Sequence, residues 1–105
     1  MRTHSNQLNQ SLERFSNWLK NHYKVNGKNF KSYVTYSYYM QLAVTDLRIK
    51  QDQFFSINKP GLLKAILRSL RNSGLFKSRD TKLQRDIISS FKAYIKFNTS
   101  FQNFA

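Results

Sequence analysis

Three glycines and one proline in 105 residues constrain this chain's fold more than any other feature. Glycine and proline are the strongest punctuators of local structure, so their scarcity favours a few long elements over many short ones. The apolar residues then supply the period. From about Asn6 to Lys24, Leu8, Leu12, Phe15, Trp18, Leu19 and Tyr23 recur at spacings of three and four, one stripe of a helix. Ser5 or Asn6 is positioned to cap it, and Asn26–Gly27 marks the break. A second helix is expected from Asn29 to about Ala43, with Phe30, Val34, Tyr38 and Leu42 on one face and Tyr33, Tyr36 and Met40 on its neighbour. The segment YVTYSYY also suits a strand, but no second strand of similar strength is available to pair with it, which decides for helix.

Residues 44–57 carry no clean period, and Ile49, Phe54, Phe55 and Ile57 are expected to pack down from a loop with a short helical turn near 46–55. Asn58 reads as an N-cap and Pro60 as a first-turn residue, where its missing N–H costs nothing. The stripe Leu62, Leu63, Ile66, Leu67 and Leu70 follows, with Gly74 expected to end the helix and Leu75 to make the accompanying contact. The last helix is expected to start at Asp80 or Thr81, to carry Leu83, Ile87, Ile88, Phe91, Tyr94 and Ile95, and to end near Asn98. Residues 1–5 and 99–105 read as loose termini, unless Phe101 and Phe104 dock back. The expected architecture is a single all-α domain over residues 1–105, a compact four-helix bundle.

The composition supports a core: 40% of residues are hydrophobic and 15% aromatic, whereas basic disordered tails are poor in both. There is no cysteine, which excludes a disulfide framework, a thiolate zinc site and a cysteine nucleophile. No apolar run approaches the roughly 18 residues of a membrane span, and residues 1–8 lack the apolar centre of a secretory signal. These features suit a cytoplasmic protein.

Against that background stands the charge: eighteen lysines and arginines, five acids, and a net +13. Self-repulsion on this scale opposes compaction, so the charge points to an anionic partner, and nucleic acid is the commonest polyanion. On the third expected helix Lys64, Arg68 and Arg71 share a face. On the fourth, Arg85, Lys92 and Lys96 fall at i, i+7 and i+11, with Ser89 between them. Residues 59–96 hold ten basic residues and two acids, Asp80 and Asp86, unlike the interleaved signs of an ordinary solvated helix. A further group, Lys24, Lys28 and Lys31, flanks the turn into the second helix, with Asn26, Asn29, Ser32, Thr35 and Tyr39 as hydrogen-bonding neighbours. At helical spacing, the tyrosines of that helix read first as core and bundle-edge residues.

The order of these motifs resembles the N-terminal, core-binding domain of tyrosine recombinases and phage integrases, over roughly residues 9–98. LERFSNWLKNHY is similar to that domain's first helix, NGKNFKSYVTYSYYMQLAV to its second, and DIISSFKAYIKF to its closing helix. The resemblance implies a SAM-like orthogonal four-helix fold that clamps DNA with its second and fourth helices. It would bring Lys28, Lys31, Ser32, Thr35 and Tyr39 to the DNA from one side, and Arg85, Ser89, Lys92 and Lys96 from the other. The recombinase's catalytic domain has no counterpart here, so the implied role is binding without cutting.

Catalytic patterns are weak. Glu13, Asp46, Asp52, Asp80 and Asp86 form no evident pair, and His4 and His22 have no motif around them. No zinc spacing, phosphate-cradling glycine loop or nucleophile elbow occurs. No enzymatic activity, cofactor, metal or small-molecule substrate is expected. The expected function is a DNA-binding module that grips duplex phosphates. Two alternatives stand beside it: a small phage or mobile-element protein that inhibits or recruits a nucleic-acid enzyme, and an RNA-binding protein. A membrane surface is the weakest partner, because the basic faces lack bulky apolar neighbours.

Overall fold

The computed structural model describes residues 11–21 and 33–104, with the backbone alone for Tyr33, Val34 and residues 101–104. Among the described residues there is no strand. The elements in order are α1 (residues 11–21), α2 (Tyr33–Leu47), α3 (Gln51–Phe54), α4 (Pro60–Arg71), α5 (Gly74–Lys77) and α6 (Thr81–Phe104). Four are helices of length and two are single turns. The all-α expectation therefore holds, with α3 as the expected short turn and α5 as an addition. The first helix lies inside its expected range, while the proposed cap at Ser5 or Asn6 and the break at Gly27 fall outside the described residues.

The long helix α6 is the central element. It packs on α2 and α4, and α2 in turn meets α3, α4 and α5. On α6, Ile87, Phe91, Tyr94 and Phe97 are buried. Tyr94 is the hub of an aromatic cluster: Phe15 of α1 meets it edge-on at 5.1 Å, while Phe54, Phe55 and Phe97 lie at 5.8, 5.7 and 5.8 Å. Edge-to-face and offset pairs add roughly 0.5–1.5 kcal/mol each beyond the area they bury. The α1 helix is held by the same rings, Trp18 lying 5.8 Å from Phe97, and by a 2.7 Å hydrogen bond between the Ser16 and Ser37 hydroxyls.

Several boundaries differ from the sequence expectation, each for a local reason. Helix α2 runs four residues beyond Ala43, and its buried face is Met40, Ala43 and Val44, with Tyr36 and Leu47 packed alongside. Tyr38, expected on the core face, is instead 54% exposed. The helix ends when Arg48 enters the left-handed region at φ 59°. The Arg48 and Ile49 amides then close back on the Thr45 and Val44 carbonyls at 3.1 and 3.4 Å, a termination that usually takes glycine. At the start of α4 the capping position is Lys59 rather than Asn58, with no side-chain cap, and Pro60 opens the helix as expected. Gly74 does not end α4. Asn72 does, and Ser73 then caps α5 by accepting from the Phe76 amide at 3.4 Å. Gly74 has no left-handed φ, so the conformation that would have demanded glycine is absent. The α6 backbone continues through Phe104 instead of stopping near Asn98.

One polar contact ties these elements together. Asp46, in the last turn of α2, is buried, and its carboxylate accepts two hydrogen bonds from Arg79, both 2.8 Å. The hydrogen bond to Asp46 raises the Arg79 guanidinium above its already high ordinary value, so it stays charged throughout the working range. Ser73 donates to the Asp46 carbonyl at 3.0 Å, and Gln84 of α6 donates to the Arg79 carbonyl at 2.7 Å. Arg79→Met leaves a buried carboxylate without its partner, and breaking such a pair costs about 3 kcal/mol. Urea unfolding should show that loss, with a smaller one for Asp46→Asn. A midpoint unchanged for Arg79→Met would show that the pair does not hold the fold.

Burial pushes the Tyr94 phenol up to about 12, against an opposing pull from Asn98. Below pH 10 both folded and unfolded chains keep this proton, so it does not affect stability. As pH rises from about 10 towards 12 the unfolded chain loses the proton first, so stability falls. Tyr94→Phe should remove that part of the alkaline loss in thermal melts between pH 9 and 12; an unaltered alkaline limb would contradict it.

Candidate nucleic-acid interface

Fourteen of the eighteen basic residues lie in the described part of the chain, and all but Arg79 are exposed. The acids do little to balance them. Asp46 is buried under Arg79, Asp86 takes Lys82 at 3.2 Å, Asp52 is half-buried, and only Glu13 and Asp80 are exposed.

On α6, Arg85, Ser89, Lys92 and Lys96 are all exposed. At about 100° per residue they fall within an arc of about 60°, over about 16 Å of helix. The opposite face carries Ile87, Phe91 and Tyr94 into the core, so packing fixes the stripe outward. Lys82 extends it by one turn towards the start of α6. Cations there oppose the positive end of the helix dipole, where acids are favourable. Lys82, in the first turn, is thus placed against the local electrostatics of its own helix.

On α4, Lys64, Arg68 and Arg71 are exposed and lie about 100° round from Leu63, Leu67 and Leu70, on the flank of the buried stripe and not behind it. Arg68 and Arg71 sit in the last turn, where cations complement the negative end of the helix and need no ligand to explain them. The remaining outer flank is uncharged, with Gly61, Leu62, Ala65 and Ser69 exposed.

The third expected group divides. Lys28, Lys31 and Ser32 lie outside the described residues. Thr35 is half-buried. Tyr39 is half-buried as well, and its hydroxyl points across the α2–α6 interface to Asp86 at a long 3.5 Å, so it bridges two helices. The exposed tyrosine is its neighbour Tyr38. Sequence reasoning passed over Tyr38 and Lys82, although Lys82 stands three residues before Arg85 and thus on nearly the same face.

Among the described residues no three His, Asp or Glu side chains come together as a metal site, and no helix is long and apolar enough to cross a membrane. No protein-family model, curated protein or solved structure matches the chain.

The α6 stripe makes no contribution to the core, so neutralising it should leave the fold intact. The triple variant Arg85→Gln, Lys92→Gln, Lys96→Gln should change stability by no more than about 0.5 kcal/mol per site, and in the stabilising direction at low salt as self-repulsion falls. Thermal melts at low and high salt check this; a large loss would mean that the stripe is structural.

Proposed function

We propose that the chain is a non-catalytic nucleic-acid-binding module that holds phosphates along α6 through Arg85, Lys92 and Lys96, with Ser89 as a neutral donor between them. Lys64, Arg68 and Arg71 of α4 add a second basic surface. The observation that carries the reading is the α6 stripe: one exposed, single-sign face on the helix whose other side is the core. Phosphate contacts of this kind supply affinity without sequence information, so duplex DNA is the simplest partner and folded RNA shares the same chemistry. Under the motif resemblance to recombinase core-binding domains, Lys28, Lys31, Ser32, Thr35 and Tyr39 would approach the DNA from the opposite side, although Thr35 and Tyr39 are half-buried.

A second reading, a protein that inhibits or recruits a nucleic-acid enzyme, draws on one observation: the uncharged outer flank of α4, where Leu62 is 48% exposed. The two readings part in a single experiment. A direct binder shifts duplex DNA alone, whereas an inhibitor needs its partner protein.

Fluorescence anisotropy with a labelled random duplex should give binding that weakens steeply between about 50 and 200 mM salt. Each of Arg85→Gln, Lys92→Gln and Lys96→Gln should reduce the slope of log affinity against log salt by about one. Duplex binding with an unchanged slope in all three variants would remove α6 from the interface.

A further inference from the structure

We infer that Tyr38 is a stacking platform for an unpaired base, placed beside the α6 phosphate stripe, so that this face takes nucleic acid with an exposed strand in preference to closed duplex. The inference rests on the phosphate reading of α6 and narrows its partner.

Tyr38 stands mid-helix on α2, about 180° from the buried face formed by Tyr36, Met40, Ala43, Val44 and Leu47. With 54% of its surface exposed it is the most exposed large apolar side chain among the described residues, and packing does not require it there. Its ring is nevertheless not isolated: it lies 5.9 Å from the Tyr39 ring at a 48° tilt. Tyr39 is itself anchored between helices, its hydroxyl directed at Asp86 Oδ2. The same oxygen accepts from Lys82 at 3.2 Å. Tyr39 of α2 and Lys82, the first cation of the α6 stripe, therefore meet on one carboxylate, and Tyr38 adjoins that point through its contact with the Tyr39 ring.

From Lys82 the cations continue through Arg85, Lys92 and Lys96 along α6. A strand whose base lies on Tyr38 would have its backbone led onto that stripe. An aromatic face beside a cationic track is the arrangement by which proteins hold single strands. The aromatic face accepts any base, each stack contributing roughly 1–3 kcal/mol, and the cations follow the phosphates. A closed duplex offers the same phosphates but keeps its bases stacked within the helix, so it gains nothing from Tyr38.

The test compares a labelled 15-nucleotide oligo-dT, the same length carrying abasic sites, and a 15-base-pair duplex, at 50 mM salt. Tyr38→Ala should lower affinity for oligo-dT by about 5- to 150-fold, the range one base stack supplies, and leave duplex and abasic strand within about twofold of wild type. Tyr38→Phe should keep wild-type affinity throughout. Tyr38→Ala protein that binds oligo-dT like wild type, or that weakens on all three ligands alike, overturns the platform while leaving the phosphate grip standing. Wild-type protein that binds none of the three overturns both. Since Tyr38 faces solvent, its removal should leave the thermal melt unchanged; a variant that unfolds would mean the ring is structural and would count against the platform.

Discussion

The architecture depends on a carboxylate in an unfavourable place. Asp46 lies in the last turn of α2, where the helix end is negative and an acid is least welcome, and it is buried there at 3% exposure. A buried charge is stable only with a well-placed partner and satisfied hydrogen bonds, and the planar fork of Arg79 supplies both at 2.8 Å. The arginine belongs to the short connection before α6, so the pair fixes how α6 leaves the α4–α5 turn. Ser73 and Gln84 secure the same junction from either side. The pair thus fixes where α6 begins, while the packing of Ile87, Phe91 and Tyr94 sets the direction in which the cations face.

Helix α6 then separates two kinds of chemistry. One side holds the aromatic hub at Tyr94, to which α1, α3 and the rest of α6 contribute rings. The other side holds Arg85, Lys92 and Lys96. Because the core face is buried and packed against aromatic rings, the charges on the other side stay in solvent. The proposed phosphate grip and the proposed base platform both use this packing: cations and Tyr38 are presented by packed helices instead of by loops. The Lys82–Asp86–Tyr39 contact joins the two proposed elements across the α2–α6 interface.

Much of this was legible in the residues, and the parts that were not share a cause. The α4 stripe and the α6 set of Ile87, Phe91 and Tyr94 announce their faces by helical spacing, although Leu62, expected within the α4 stripe, is 48% exposed beside the buried Leu63, Leu67 and Leu70. Helix α2 does not: YVTYSYY puts large side chains on every face, so periodicity alone could not tell Tyr38 from Tyr36. The end of α2 was hidden because Arg48 occupies a conformation for which glycine is the usual signal. Gly74 misled for the converse reason, being a glycine where nothing requires one. The Asp46–Arg79 pair joins residues 33 apart, and no local pattern marks it. On the candidate interface, the α6 spacing was readable directly, whereas the half-burial of Tyr39 and the exposure of Tyr38 follow from tertiary packing.

The most direct test of the central claim is an amide-resolved NMR titration of the isotope-labelled protein with a short oligo-dT at low salt. The account predicts shift changes concentrated on residues 82–96 and on Tyr38 and Tyr39, fading as salt is raised. An unperturbed spectrum, or changes confined to the uncharged flank of α4 around Leu62 and Ala65, would contradict it.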